Sequence, residues 1–237
     1  MKRLAALLIP VLALPACVNA TDYGGDNVHE HIRRALPAAG VRSIRVENVS
    51  GPVTIAPASG NAVTIDATKN ASDSDAIART HVDITRDGDQ VAVRTRYDEN
   101  GGGWFSRHNG ASVTYDIRVP ATLDVDVANV TGSVTISGTA GNVRIEEISG
   151  PVRASIGRVS ASRLVHISSV SGPIDVVIAK NSDVRVDGKT VSGPIRAFFP
   201  ADTHKGFVGE TLDGRVGSGS ASMSLEAVSG SITISPQ

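Results

Sequence analysis

Cysteine occurs once in the 237 residues, tryptophan once, and aromatic residues make up only 3% of the chain. A lone cysteine, Cys17, allows no disulfide within one chain and no cysteine-rich zinc site. So few aromatics leave no stacking platform of the kind that single-stranded nucleic acid uses. Neither sign of charge is in excess, since 23 Lys plus Arg stand against 24 Asp plus Glu, a formal net charge of −1. That balance gives no basic field for nucleic acid and no acidic tail. Chemical motifs are missing as well. There is no nucleophile motif, P-loop, dinucleotide fingerprint or zinc-ligand spacing, and no nonapeptide glycine–aspartate pattern of a calcium-binding roll. The sequence therefore reads as non-enzymatic, with no cofactor and no metal.

What the chain has in abundance is Val, Ile, Ser, Thr and Gly. This composition suits stacked, tightly turned β-strands with an aliphatic interior. Four segments follow from the pattern. Residues 1–20 form a signal peptide, with Lys2 and Arg3 before an apolar run from Leu4 to Leu14 that is too short to span a membrane as a mature helix. Two cleavage readings stand side by side. Val18-Asn19-Ala20 suits signal peptidase I and would release a soluble chain beginning at Thr21. Leu14-Pro15-Ala16-Cys17 resembles a lipoprotein box, which would make Cys17 the site of lipid attachment. Both readings export the protein to the cell envelope, periplasm or outer membrane.

Residues 21–40 read as a linker or spacer helix, with a helical stretch at Asn27–Leu36 capped by Asp26 and stopped by Pro37 and Gly40. Its His29 and His31 lie two apart, which does not place them on one helical face, and no further ligand completes a metal set. From residue 41 the apolar period becomes two, and 41–120 reads as an N-terminal β meander with a hairpin at Arg86-Asp87-Gly88-Asp89. Inside it runs Gly101-Gly102-Gly103-Trp104-Phe105-Ser106-Arg107-His108-Asn109-Gly110. Trp104, Phe105, Arg107 and His108 form a candidate contact loop for a glycan, a lipid headgroup or a protein. The competing reading folds the two aromatics back as a plug over the end of the core.

Residues 121–237 are β-solenoid repeats. The pattern Val170-Ser171-Gly172-Pro173-Ile174-Asp175-Val176 recurs at Val49–Ile55, Val130–Ile136, Ile148–Ala154, Val191–Ala197 and Val228–Ile234. A looser copy follows Leu212. With Gly214 included, the repeat glycines after Pro120 are 18, 22, 21, 21 and 16 residues apart, a coil-per-repeat spacing. Alternation predicts that the apolar residues before the glycine (Val130, Ile148, Val170, Val191, Leu212, Val228) and after it both face a shared interior. Arg153, Asp175 and Arg196 would then stand in line on the outer surface. Phe198, Phe199 and Phe207 are expected to close or widen one coil, and the last repeat to leave a bare coil edge. Asp124 and Asp126 are the closest carboxylate pair and precede the regular coils, so a polysaccharide-active β-helix enzyme is the weakest reading.

The Val-Ser-Gly-x-Val/Ile-x-Ile repeats, the strand ending Ile117-Arg118-Val119-Pro120 and the exported N-terminus resemble a bacterial family. It is the β-strand-repeat "putative adhesin" group, a DUF4097-like domain of unknown function, and the likeness spans roughly Ser43 to Ile234. It implies an all-β, parallel β-helix-like stack in an exported protein and brings no catalytic residues. The expected function is adhesion or protein contact at the cell envelope, with a protein or cell-surface glycan as partner. The alternative is an assembly component that self-associates through open coil ends. A membrane enters only through the lipid anchor.

Overall fold

The computed structural model describes residues 28–98, 110–160 and 162–237. The chain is all-β, a flattened stack of two sheets of nine and ten strands that share one aliphatic core. Each rung of the stack is a strand in one sheet followed in the chain by a strand in the other, across a tight glycine corner in every rung but β6/β7. The rungs are β2 (Ser43–Ser50) with β3 (Val53–Pro57), β6 (Gln90–Tyr97) with β7 (Ser112–Val119), and β8 (Asp124–Thr131) with β9 (Val134–Thr139). They continue with β10 (Val143–Ser149) and β11 (Val152–Ile156), then β12 (Leu164–Ser171) and β13 (Ile174–Ile178). The last two are β14 (Val184–Ser192) with β15 (Ile195–Ala197) and β18 (Ala221–Ser229) with β19 (Ile232–Pro236).

Strict alternation builds these strands. In β10, Val143 and Ile145 point inward while Arg144 and Glu146 face water. Neighbouring rungs pair in parallel register, as in Val143↔Val165 and Ile145↔Ile167, so each apolar side chain sits on its equivalent. The corner needs glycine for two reasons. Gly132, Gly150, Gly172, Gly193 and Gly230 all have φ between 137° and 153°. A Cβ on any of them would also collide with the carbonyl of the corner glycine one rung away, Gly132 with Gly51 and Gly150 with Gly132. Corner glycines thus stack backbone on backbone.

Rung order differs from chain order at both ends. β2/β3 lies between β6/β7 and β8/β9, and the last rung, β18/β19, lies between β12/β13 and β14/β15. No bare C-terminal coil exists in the described residues. The stack ends instead at β14/β15, covered on one sheet by the antiparallel strands β17 (Glu210–Val216) and β16 (Ala201–Lys205). On the other sheet the N–H of Ile195, on the edge strand β15, donates to Glu210 Oε2 at 3.1 Å. The looser repeat at Gly214 is therefore no corner, because it lies within the straight strand β17, with Leu212 buried in the core. Of the three phenylalanines, only Phe199 packs against the core; Phe198 and Phe207 are exposed.

The opposite end is closed by antiparallel strands too: β4 (Ala62–Ala71) and β1 (Val28–Pro37) on one sheet, β5 (Thr80–Asp87) on the other. A short helix, α1 (Ser74–Ala78), capped by Asp73, joins β4 to β5. β1 replaces the expected spacer helix. Ile32 and Leu36, four apart, lie on one face in either conformation, and the free edge of β4 decides for the strand. Both sheets and the core run across Pro120 without a break, so the meander and the solenoid are one body.

Candidate contact surface

The alternation that fills the core has a second consequence at each corner. Ile148 follows two inward residues at odd positions, Val143 and Ile145, so it must point outward, and Glu147 must point in. The same phase holds in every rung that turns at a repeat glycine. Val49, Val130, Ile148, Val170, Val228 and Val191 are 38–50% exposed, which corrects the inward placement expected for this column. The residue before each is inward: Asn48, Asn129, Glu147, Ser169 and Thr190 are buried, with Ala227 completing the column.

In spatial order the outward residues form one aliphatic stripe across β2, β8, β10, β12, β18 and β14. At the parallel-strand spacing its length is about 24 Å. A hydroxyl column borders it on the corner side: Ser50, Thr131, Ser149, Ser171, Ser229 and Ser192. At the β14 end, the hairpin tip between β16 and β17 abuts the stripe, since a Cβ on Gly209 would strike the backbone of Thr190 and Val191. That tip carries the fully exposed Phe207 and the exposed Val208, so apolar surface continues past the last rung. At the other end the stripe borders an open groove of about 460 Å³, whose lining includes Val49, Val130, Ile148, Ala128, Arg45 and Glu47.

Polar side chains beside and beneath the stripe are engaged with one another. Glu47 accepts from Arg94 and from Arg45, and these bonds hold its carboxyl below the ordinary range. Arg45 also donates to Asp126 at 2.7 Å. Asp124 accepts from the backbone N–H of Asn142 at 2.7 Å, so the two carboxylates are occupied structurally. Beneath, Asn48 donates to the Gly51 carbonyl at 3.0 Å and accepts from Thr95, which also bonds the Tyr115 hydroxyl. Burial pushes that hydroxyl up to about 12. Glu147 accepts from Asn129 Nδ2 at 2.8 Å and from the Ser149 N–H at 3.1 Å, and burial raises its carboxyl.

Other residues singled out by sequence fall elsewhere. Cys17, Trp104, Phe105, Arg107 and His108 lie outside the described residues. Of the loop's flanks, Tyr97 donates from its hydroxyl to the Ala111 carbonyl at 3.0 Å and its ring covers Gly110. On the second sheet Arg153 neighbours Asp175, but the inserted last rung places Thr233 between Asp175 and Arg196, breaking the expected line of charge. His29 and His31 hydrogen-bond Asn70 and Thr68 on β4. Among the described residues no group of three or more His, Cys, Asp or Glu could hold a metal ion, and no helix is long and apolar enough to cross a membrane.

A family model described as Toastrack DUF4097 matches residues 36–235. A crystal structure of a "putative cell adhesion protein" from Clostridium sporogenes ATCC 15579 superposes with a TM-score of 0.62 at 11% identity, covering 88% of this chain and 100% of that one. A "putative adhesin" from Bacteroides fragilis NCTC 9343 reaches a TM-score of 0.27 at 12% identity, over 86% of this chain and 96% of its own. The first shares the fold. No curated protein matches the chain.

Proposed function

This chain belongs to the Toastrack DUF4097 family, and we propose that it is a non-enzymatic contact module of the cell envelope whose working surface is the aliphatic stripe. One observation carries the reading: six aliphatic residues, each 38–50% exposed, repeat in one line on an otherwise alternating, water-facing sheet. Surface leucines or valines scattered singly need no explanation, but a contiguous row marks an interaction site. Val and Ile offer no hydrogen bonds to a sugar, so the stripe suits an apolar face of a protein partner better than a glycan. A symmetric pair of stripes alone would bury far less than the roughly 800 Å² per partner of a standard interface, so the partner must reach beyond the stripe. The Clostridium sporogenes neighbour, described as a "putative cell adhesion protein", agrees with a contact role.

Export belongs to the same reading. The N-terminal segment delivers the protein to the envelope, and Cys17, if lipidated, anchors it there. Mass spectrometry of the mature N-terminus from the native host decides this: a diacylglyceryl Cys17 supports the anchor, and an unmodified Thr21 removes it.

The contact role is tested with beads coated in purified chain and presented to intact bacterial cells. The double substitution Val170→Lys/Val228→Lys leaves the core untouched and is expected to cut binding at least about tenfold, a loss of about 1.4 kcal/mol. Cells stripped of surface protein by protease should lose binding equally. Unchanged binding by a folded double variant would remove the stripe from the function. Loss on Trp104→Ala instead would transfer the role to the Gly101–Gly110 loop.

A further inference from the structure

The last rung occupies a slot made by other parts of the chain. β18 pairs in parallel with β12 on one side and β14 on the other, and β19 likewise lies between β13 and β15. In chain order β13 leads directly to β14, yet the two rungs are separated in space by the width of one rung. The connection holds this gap open through its own bonds. The Asp183 N–H donates to the Val159 carbonyl at 2.7 Å, and the Ser182 hydroxyl accepts from the Val159 N–H at 3.1 Å.

Everything that fills the slot lies in one continuous segment. Met223, Leu225, Ile232 and Ile234 are fully buried there, and Gly230 completes the corner stack between Gly172 and Gly193. Among the described residues this segment joins the body only through Gly217-Ser218-Gly219-Ser220. Both glycines of the link have positive φ, 63° and 73°. The link is latched on Asp183, whose carboxylate accepts from the Ser218 N–H at 3.0 Å and whose carbonyl accepts from the Ala221 N–H at 2.9 Å.

From this topology we propose that β18–β19 is an exchangeable rung: the segment of one copy fills the β12/β14 and β13/β15 slot of a second copy, giving a domain-swapped dimer. All the rung's contacts re-form between chains, so exchange costs only the link conformation and the freedom of the two partners. A four-residue link that must fold back on itself is the point at which the choice is made. The occupant is a second copy of this chain because the slot demands the same glycine corner, the same alternation and the same register. The inference does not rest on the stripe as a contact surface, and its test does not measure binding to cells.

Leu164 on β12 and Ser222 on β18 are register partners on the outer face of the sheet. Adjacent strands place their Cα atoms within disulfide range. In a Cys17→Ser background, chains carrying Leu164→Cys are unfolded together with chains carrying Ser222→Cys, refolded at high concentration and oxidised. Disulfide-linked dimers are expected, and few when the same chains are mixed after folding separately. Deleting Gly217 and Ser218 should raise the dimer yield about tenfold or more by removing the route back to the chain's own slot. Ser222→Cys paired with Thr54→Cys, on the other sheet, measures random collision. The double variant Leu164→Cys/Ser222→Cys must close its bond within a monomer. The proposal is overturned if that control closes while the co-refolded pair yields no more dimer than the Thr54→Cys pair. It is overturned equally if the control fails to close, since the rung is then not where the slot requires it.

Discussion

Two neighbouring positions in each repeat, one residue apart, obey opposite rules. The residue three before the corner glycine is polar in five of six rungs and buried in all (Asn48, Asn129, Glu147, Ser169, Thr190, with Ala227 the apolar one). The residue two before it is aliphatic in all and exposed (Val49, Val130, Ile148, Val170, Val191, Val228). Hydropathy is inverted at the strand end, and the reason is that strand phase outranks side-chain polarity. At least two inward aliphatics, such as Val143 and Ile145 in β10, fix the phase of each strand, and its last residues must follow. The buried polar column remains tolerable because the corner supplies partners. Asn48 binds the Gly51 carbonyl, and Glu147 receives the Ser149 N–H.

The corner glycine keeps both columns in place, so replacing it should have the largest effect. Gly150→Ala forces a Cβ into the Gly132 carbonyl at φ 153°, in a corner with backbone on both sides. A loss of about 5 kcal/mol or failure to fold is expected. Chemical denaturation measures it against Gly60→Ala, where no atom lies within 4 Å of the added Cβ. Equal stability of the two variants would show that the corners do not stack as described.

Next comes the inward member of a matched pair. Ile145→Ala removes a fully buried side chain from the middle of β10 and should cost about 3 kcal/mol.

How far the sequence reveals this arrangement depends on which interaction sets each feature. The all-β class, the glycine corners and the inward columns after each glycine are local, written by alternation and by the Val-Ser-Gly pattern. The exposed stripe is legible too when the strand phase is set by Val143 and Ile145 and not by the glycine. Rung order is not. Parallel rungs present the same backbone edge and the same aliphatic column, so nothing local says that Ile232 neighbours Ile174 and Ile195 at once. Gly214 resembles a corner because glycine between the apolar Leu212 and Val216 also fits a plain strand, here β17. The β1 segment carries a cap at Asp26 and stops at Pro37 and Gly40 that suit a helix, and pairing with the distant strand β4, which nothing local announces, makes it a strand.

Glu147 gives a smaller, pH-dependent effect that sharpens the buried-polar column. Burial raises its carboxyl above the ordinary carboxylate range. A carboxyl raised in the folded state favours folding fully below its unfolded value, near pH 4.3, and that contribution is lost as pH rises through the folded value. Glu147 therefore opposes stability at neutral pH. Asn129 Oδ1, which has no partner among the described residues, is a ready acceptor for a donor at this position. Glu147→Gln should stabilise the fold by about 1 kcal/mol at pH 7, with the gain vanishing below about pH 4. Thermal denaturation across that range tests it. A gain that persists at low pH would mean the charge is not its source.

The smallest expected effect is the strictest test of the comparison. Ile148 sits three residues beyond Ile145 in the same strand and is half exposed. Ile148→Thr keeps the β-branch that the strand favours and exchanges a solvent-facing ethyl group for a hydroxyl. Its cost should stay within about 0.5 kcal/mol, as for other surface substitutions, whereas Ile145→Thr would bury an unpaired hydroxyl as well as losing packing. Denaturation midpoints of the two threonine variants, measured side by side, therefore separate the two faces of β10 with the chemistry of the substitution held constant. A cost at Ile148 approaching that at Ile145 would mean the stripe is covered in solution, by this chain or by a second copy. The same variant in the bead assay then distinguishes a stripe that serves a partner from one that serves the fold.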